Sequence, residues 1–490
     1  MSTERLATTT SLCPDCLERV PGRYEARDGA VHLTRTCPDH GETDRKVWGS
    51  VDHWEWAAGT GPEPDPDGAL EVANDHACLA VVEVTERCNL SCSYCFASSG
   101  SDGRERPLEE VIELLETVRA EGPRPIQFSG GEPTVRDDLP ALIECARGMG
   151  FEHVQVNTNG VRLASEDGYA QRLADAGATA VYLQFDGLTT ETYEAIREVD
   201  LVAEKHAAID ACRAADLPVV LVPTVVPGVN DHEMGDVVRF ALENLDVVES
   251  VNFQPVADFG RTGEETGDHE GRFALDEAAR RLADQLGFVD ARDLKPIPCC
   301  SAYCQSATAL LPEEDGVIPV TDLLGDGVVE SLAGMVDESQ WMELLANTPA
   351  GASGVTGAAD DAGCCGGGSC CGPSPEGLGA LFEEVLPVSF TGFMDRDAAD
   401  AGRLSNCCVA VPTPSGELVP FCAYNMTNED GEYAIRNRND WGGRPSVDAP
   451  RPPAERAAEG PPDEASDGPT PRVEAAERGE RVEHAREDDD

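Results

Sequence analysis

The stretch "VTERCNLSCSYCF" places Cys88, Cys92 and Cys95 within eight residues. Three thiolates are one short of a closed structural metal site, and the C-x3-C-x2-C spacing differs from the paired C-x2-C units of a zinc knuckle. It suits a 4Fe-4S cube with three irons held by cysteine and the fourth left open. A zinc ion that borrows a distant fourth ligand is the competing reading. Near the N-terminus, "LCPDC" and "TCPDHG" supply Cys13, Cys16, Cys37 and His40. Four soft or borderline ligands in that pattern suit one tetrahedral Zn or a rubredoxin-like Fe, with no open position and hence a structural role.

Further cysteines follow. "PCCSAYCQ" carries Cys299, Cys300 and Cys304, and "NCCVAVPTPSGELVPFC" carries Cys407, Cys408 and Cys422. Cys364, Cys365, Cys370 and Cys371 stand in "CCGGGSCCG", where glycine offers no scaffold for a site, so residues 351–377 read as a flexible insertion. Cys78, Cys145 and Cys212 fall on strand or helix patterns and read as core residues.

The elements that must position these groups are legible between residues 75 and 265. Six short apolar runs, "LAVVEVTE", "PIQFSGG", "HVQVNTNG", "AVYLQFDG", "VVLVPTVVPG" and "SVNFQPV", read as buried parallel strands. Helical patterns such as "PLEEVIELLETVRAEG" alternate with them, which predicts repeated β-α units in a parallel sheet or open barrel. Polar residues and glycines gather at the C-terminal ends of the runs, where such folds build active sites. The three-cysteine stretch lies on that rim, just after the first strand.

With "FSGGEPTVRDDL" following the second strand, residues 79–265 resemble the radical S-adenosylmethionine (SAM) superfamily. The resemblance implies an α/β fold, a partial (β/α)6 barrel with a small N-terminal metal-binding unit (1–60) and a C-terminal auxiliary-cluster region (290–440). It implies that Cys88, Cys92 and Cys95 hold a 4Fe-4S cluster whose open iron binds SAM. Reductive cleavage of SAM then gives a 5'-deoxyadenosyl radical for C–H abstraction. Gly130, Gly131 and Glu132 of "SGGEP" are expected at the methionyl ammonium of SAM. Tyr94 is expected by the adenine, with local packing the alternative. Asn157, Asn159, Gln184, Asp186 and Gln254, at strand ends, are expected at ribose or substrate, with ordinary turn chemistry as the alternative. Cys299, Cys300, Cys304, Cys407, Cys408 and Cys422 resemble the ligands of one or two auxiliary clusters.

The order of these motifs is similar to an archaeal group that includes tetraether lipid synthase, and related sequences act as dihydropterin methyltransferases. The first relationship implies C–C bond formation on isoprenoid lipid chains. The alternatives are radical methylation of a dihydropterin and, in another class, a multi-cluster electron carrier. An electron carrier has no use for the "SGGEP" ammonium site. A small-molecule or lipid substrate and a reducing electron-transfer protein are the expected partners.

Composition limits the setting. The chain has 490 residues, with 92 Asp+Glu against 37 Lys+Arg and a formal charge of -55. Such a surface repels nucleic-acid phosphates and anionic lipid headgroups. It also repels itself until salt near 1 M shortens the Debye length to about 3 Å. The expected source is a halophilic archaeon and the expected location cytoplasmic, with at most a peripheral membrane association. No secretory signal opens the sequence and no apolar run is long enough to span a bilayer. Nineteen cysteines in such a chain are expected as metal ligands rather than disulfides. From 442 to 490 aromatics vanish and Pro, Glu, Arg and Asp dominate, which predicts a disordered tail.

Overall fold

The first strands are short alternating segments that pair through tight turns. In the computed structural model, β1 (Glu4–Leu12), β2 (Arg19–Arg27), β3 (Ala30–Cys37) and β4 (Gly41–Trp48) form an antiparallel sheet in sequential order. The structure describes residues 4–59, 78–122, 124–262, 273–297, 300–313, 316–324, 385–428 and 431–436. Cys299, the insertion at 351–377 with its four cysteines, and the 442–490 tail lie outside the described residues.

The six expected strands all form: β5 (Leu79–Thr85), β6 (Ile126–Gly130), β7 (Val154–Thr158), β8 (Ala180–Gln184), β9 (Val219–Val222) and, after the two-residue β10 (Thr224–Val225), β11 (Val248–Pro255). They pair in parallel in the order β5-β6-β7-β8-β9-β11. Helices cover the outer face. That of Leu108–Ala120 shows why: Val111, Leu114, Leu115 and Val118 recur at helical spacing and are all buried, with Glu109 and Glu110 in its first turn and Arg119 in its last.

The C-terminal segments add β12 (Lys295–Pro296), β13 (Gln305–Glu313), β14 (Gly316–Pro319), β15 (Leu386–Thr391), β16 (Val409–Pro412) and β17 (Leu418–Pro420). β15 joins β11 in parallel, and β16 joins β5 in parallel at the opposite edge. The region expected to carry auxiliary clusters thus also extends the core sheet at both ends. The two edges then approach each other, because Ile297 and Cys300 before β13 pack with Cys78 and Cys408 beside β5 and β16. Among the described residues no ladder joins the edges, so the sheet is a curled, open barrel.

The N-terminal sheet is fastened to this body. Trp54 stacks on Tyr303 at 3.7 Å and 7°, Arg45 pairs with Asp397, and Lys46 pairs with Glu277. Among the described residues no helix is long and apolar enough to cross a membrane.

Candidate active site

The loop after β5 carries Cys88, Cys92 and Cys95 to the mouth of the barrel, where all three line one cavity of about 350 Å³. Backbone bonds fix the loop. Cys88 N donates to Gly100 O, and Cys95 and Arg261 exchange two bonds of 2.9 and 3.0 Å. The Arg261 side chain donates to Cys92 O and Ser99 O. Burial, with help from the Glu132 carboxylate, pushes the Cys88 thiol up to about 12. A thiolate there therefore calls for a compensating cation such as cluster iron.

Gly130 and Gly131 let β6 approach this loop. A Cβ on Gly130, whose φ is +128°, would lie 2.1 Å from Thr85 O, and one on Gly131 would lie 2.3 Å from Arg87 O. Gly131 N and Glu132 N donate to those same carbonyls. Three thiols on a braced loop beside a glycine cradle fit a three-cysteine cluster and a ligand approaching the backbone.

Glu132 is buried and largely engaged. Its Oε1 accepts from Thr134 N, Thr134 Oγ1 and Thr158 Oγ1, and its Oε2 accepts from Asn159 N at 2.7 Å. Oε2 keeps one acceptor position. Asn159 lines the cavity but spends its side chain on Asn89 Oδ1 and Val161 N. Asn157 donates to Ser129 Oγ, and Gln254 donates to Tyr182 Oη; both face the cavity. Tyr94 reaches the cavity while packing against Ile196 and Val226.

Asp186 stands elsewhere. It is absent from the cavity lining and lies behind the wall, clasped by Arg197 through two bonds of 2.7 Å and by Thr224 N. Arg197 is the group that reaches the cavity, and it also donates to Tyr94 O. Beneath it, buried Lys205 donates to Asn159 O and to Gln184 Oε1. Burial pushes its amine down to about 7. Sequence reading does not single out either cation, because each sits on a helix and meets its partners only once helix and strand pack together. The inner wall below carries further polar side chains among apolar ones: Gln127, Gln155, Tyr182 and Asn252 line the cavity. Each precedes a rim residue by two positions, and that period-two offset is a signal sequence reading could have used.

The N-terminal group converges. Cys13 Sγ and Cys37 Sγ lie 3.6 and 3.4 Å from His40 Nδ1, and Cys16 Sγ lies 4.0 Å from Cys37 Sγ. All four ligand atoms fall within 4.8 Å of one another. Tetrahedral zinc with Zn–S bonds of about 2.3 Å separates its sulfurs by about 3.8 Å, so the set fits without rearrangement. The backbone amide of Asp39 and the His40 ring hold the Cys37 thiol down at about 7.

The later cysteines converge from the two sheet edges. Cys304 Sγ accepts from Arg403, Cys422 Sγ accepts from Met394 N, and the Cys407 thiol donates to Val409 O. Burial and the neighbouring Cys304 push Cys407 up to about 12. Cys300 and Cys408 pack with Cys78, which read as an ordinary core residue in the sequence and here joins the cysteine group. Cys78 and Cys408 also line the cavity.

Comparison with known proteins agrees with this geometry. The model of the radical SAM superfamily matches residues 82–241, and that of the HMPTM N-terminal zinc ribbon domain matches residues 5–49. A 7,8-dihydro-6-hydroxymethylpterin dimethyltransferase of Methanocaldococcus jannaschii is 33% identical over 487 residues, covering 85% of this chain and 93% of that protein. A probable GTP 3',8-cyclase of Methanothermobacter thermautotrophicus is 33% identical over 172 residues, which is 35% of this chain and 55% of the cyclase. The solved structure of Streptococcus suis SuiB bound to S-adenosylmethionine is similar at 15% identity and a TM-score of 0.36, covering 44% of this chain and 47% of that one. The expectation of a lipid synthase finds no support among these relatives, and its alternative, the dihydropterin reading, does. With a three-cysteine loop, a glycine cradle and similarity over most of its length, the chain belongs to the radical SAM superfamily, in the family of that archaeal dihydropterin dimethyltransferase.

Proposed function

We propose that this enzyme acts on a dihydropterin, abstracting hydrogen from a substrate C–H bond to prime that carbon for methylation. The observation that carries this reading is the similarity over most of the chain to the relative named for dihydropterin methylation. Gln127, Gln155, Asn157, Tyr182, Asn252 and Ser389 line the cavity together with apolar residues such as Val81, Val220, Phe390 and Phe421. A flat heterocycle with polar edges is compatible with such a mixed wall.

A bound cluster and SAM supply the radical chemistry. The chain's own residues bind and orient. Cys88, Cys92 and Cys95 hold the cluster; the Gly130–Gly131 backbone and the remaining acceptor position of Glu132 receive the methionyl ammonium. Arg197, kept charged by Asp186, faces the SAM carboxylate. Asn157, Gln184 and Gln254 border ribose and substrate, and Tyr94 flanks the adenine. Cys13, Cys16, Cys37 and His40 hold a structural zinc. Cys300, Cys304, Cys407, Cys408 and Cys422, with Cys299, supply the ligands for one or two auxiliary clusters, fed by a reducing protein partner. The acidic surface fits a halophile's interior. Deleting the gene and comparing pterins with core lipids tests the reading. Altered pterins with unchanged lipids support it, and the reverse restores the lipid alternative.

A further inference from the structure

Strand β11 contains an irregularity that bears on the cavity floor. Its parallel ladder with β9 pairs Val248 with Val219 and Ser250 with Val220, so Glu249 is an extra residue with no counterpart on β9. Such a bulge re-aims side chains and breaks alternation. Here it lets Glu249 and Ser250, adjacent in sequence, both line the cavity. Glu249 is half-buried and, among the described residues, has neither an ion pair nor a hydrogen bond. Burial alone pushes its carboxyl up to about 8. Further along the same wall, Asn252 donates to Ser389 Oγ and Thr391 Oγ1, while its buried Oδ1 has no partner. At about 3.3 Å per residue, the Cα atoms of Glu249 and Asn252 lie about 10 Å apart or less.

Among the described residues, the flanking strands turn no charge toward Glu249. β9 brings Val220 and Val222, and β15 brings Pro387 and Ser389. The other titratable groups of the lower cavity are Tyr182, Cys78 and Cys408, while Glu132, Arg197 and Arg261 belong to the rim. A half-buried carboxyl with no protein partner is free to accept from a ligand that supplies donors. Two parallel N–H groups would meet both of its oxygens, the arrangement that makes bidentate pairs strong.

We propose that Glu249 is the specificity residue of this cavity, binding the N–H and NH2 edge of a 2-amino-4-oxopyrimidine ring, with Asn252 Oδ1 accepting from a second donor of the ligand. This deepens the function proposed above and rests on it for the choice of pterin. The ring would enter pyrimidine edge first and leave its remaining carbons toward the cysteine loop. Guanine presents the same edge, so the two ligands must be separated by experiment.

The test is equilibrium binding to the anaerobic, cluster-loaded enzyme at high salt, with 7,8-dihydro-6-hydroxymethylpterin and, separately, GTP as probes. For wild type, the pterin Kd should fall about tenfold per pH unit up to about pH 8 and then level, because the bound carboxyl gives up its proton. Glu249→Gln should weaken pterin binding at least about tenfold, or about 1.4 kcal/mol, and flatten that profile. Tight pterin binding that ignores both pH and the Gln substitution overturns the Glu249 assignment and spares the pterin reading. Binding of GTP alone, with the same dependence on Glu249, supports the edge recognition and overturns the pterin choice. Binding of neither probe overturns both. The wild-type pH profile decides the matter even if the variant fails to fold.

Discussion

Arg197 holds Asp186 by two parallel hydrogen bonds of 2.7 Å, in a pair whose side chains are 8% and 0% exposed. The carboxylate expected to touch substrate instead positions the cation that does reach the cavity. Removing one member of such a pair leaves an uncompensated buried charge. Asp186→Ala should lower unfolding stability by about 3–5 kcal/mol and weaken SAM binding. Urea unfolding at high salt reads the first effect, and a loss below about 1 kcal/mol would show the pair to be dispensable.

Gly131→Ala should displace the cysteine loop, since the new Cβ would meet Arg87 O at 2.3 Å and a backbone carbonyl cannot swing aside. SAM affinity should fall at least about tenfold, equal to about 1.4 kcal/mol. Isothermal titration of the reconstituted protein checks this. Unchanged affinity would mean that β6 does not need its close approach to the loop.

Lys205 predicts a pH dependence of stability. Its folded value of about 7 lies below the unfolded value of about 10.4. Between these limits the unfolded chain carries a proton that the folded chain lacks, so stability rises with pH across the window, by at most about 1.4 kcal/mol per unit. Below pH 7 the cost is fully present. Lys205→Met should flatten the rise, as measured by denaturant midpoints at pH 7 and pH 9; an equal slope in both proteins would assign it to other groups.

The N-terminal metal should be separable from the radical chemistry. Cys16→Ala should lose zinc and lower the melting temperature while keeping the three-cysteine cluster, because Cys16 belongs to a closed set of its own. Metal analysis beside iron quantification reads both. Loss of the two together would contradict separate sites.

Much of the barrel is legible in the sequence, because short runs rich in apolar residues alternate with helical patterns and the rim motifs follow those runs directly. Less visible was anything that depends on contact across sequence. The Asp186–Arg197 pair joins a strand end to a helix, and Cys78 meets Cys300 and Cys408 only because the sheet curls. Glu249 escaped notice for a different reason. The sixth apolar run reads as a strand from Ser250, whereas the ladder begins at Val248 and the bulge between them follows no periodicity. The inward-facing Gln127, Gln155 and Tyr182 each precede a rim residue by two positions, so only the period-two alternation of a strand exposes them.

The central claim is that the radical is spent on a dihydropterin. Its most direct measurement uses reconstituted enzyme, dithionite, SAM and 7,8-dihydro-6-hydroxymethylpterin deuterated at its carbon-bound positions, with mass analysis of the 5'-deoxyadenosine formed. The account predicts that the pterin stimulates 5'-deoxyadenosine formation and that deuterium appears in it. Formation that ignores the pterin and carries no deuterium would contradict it.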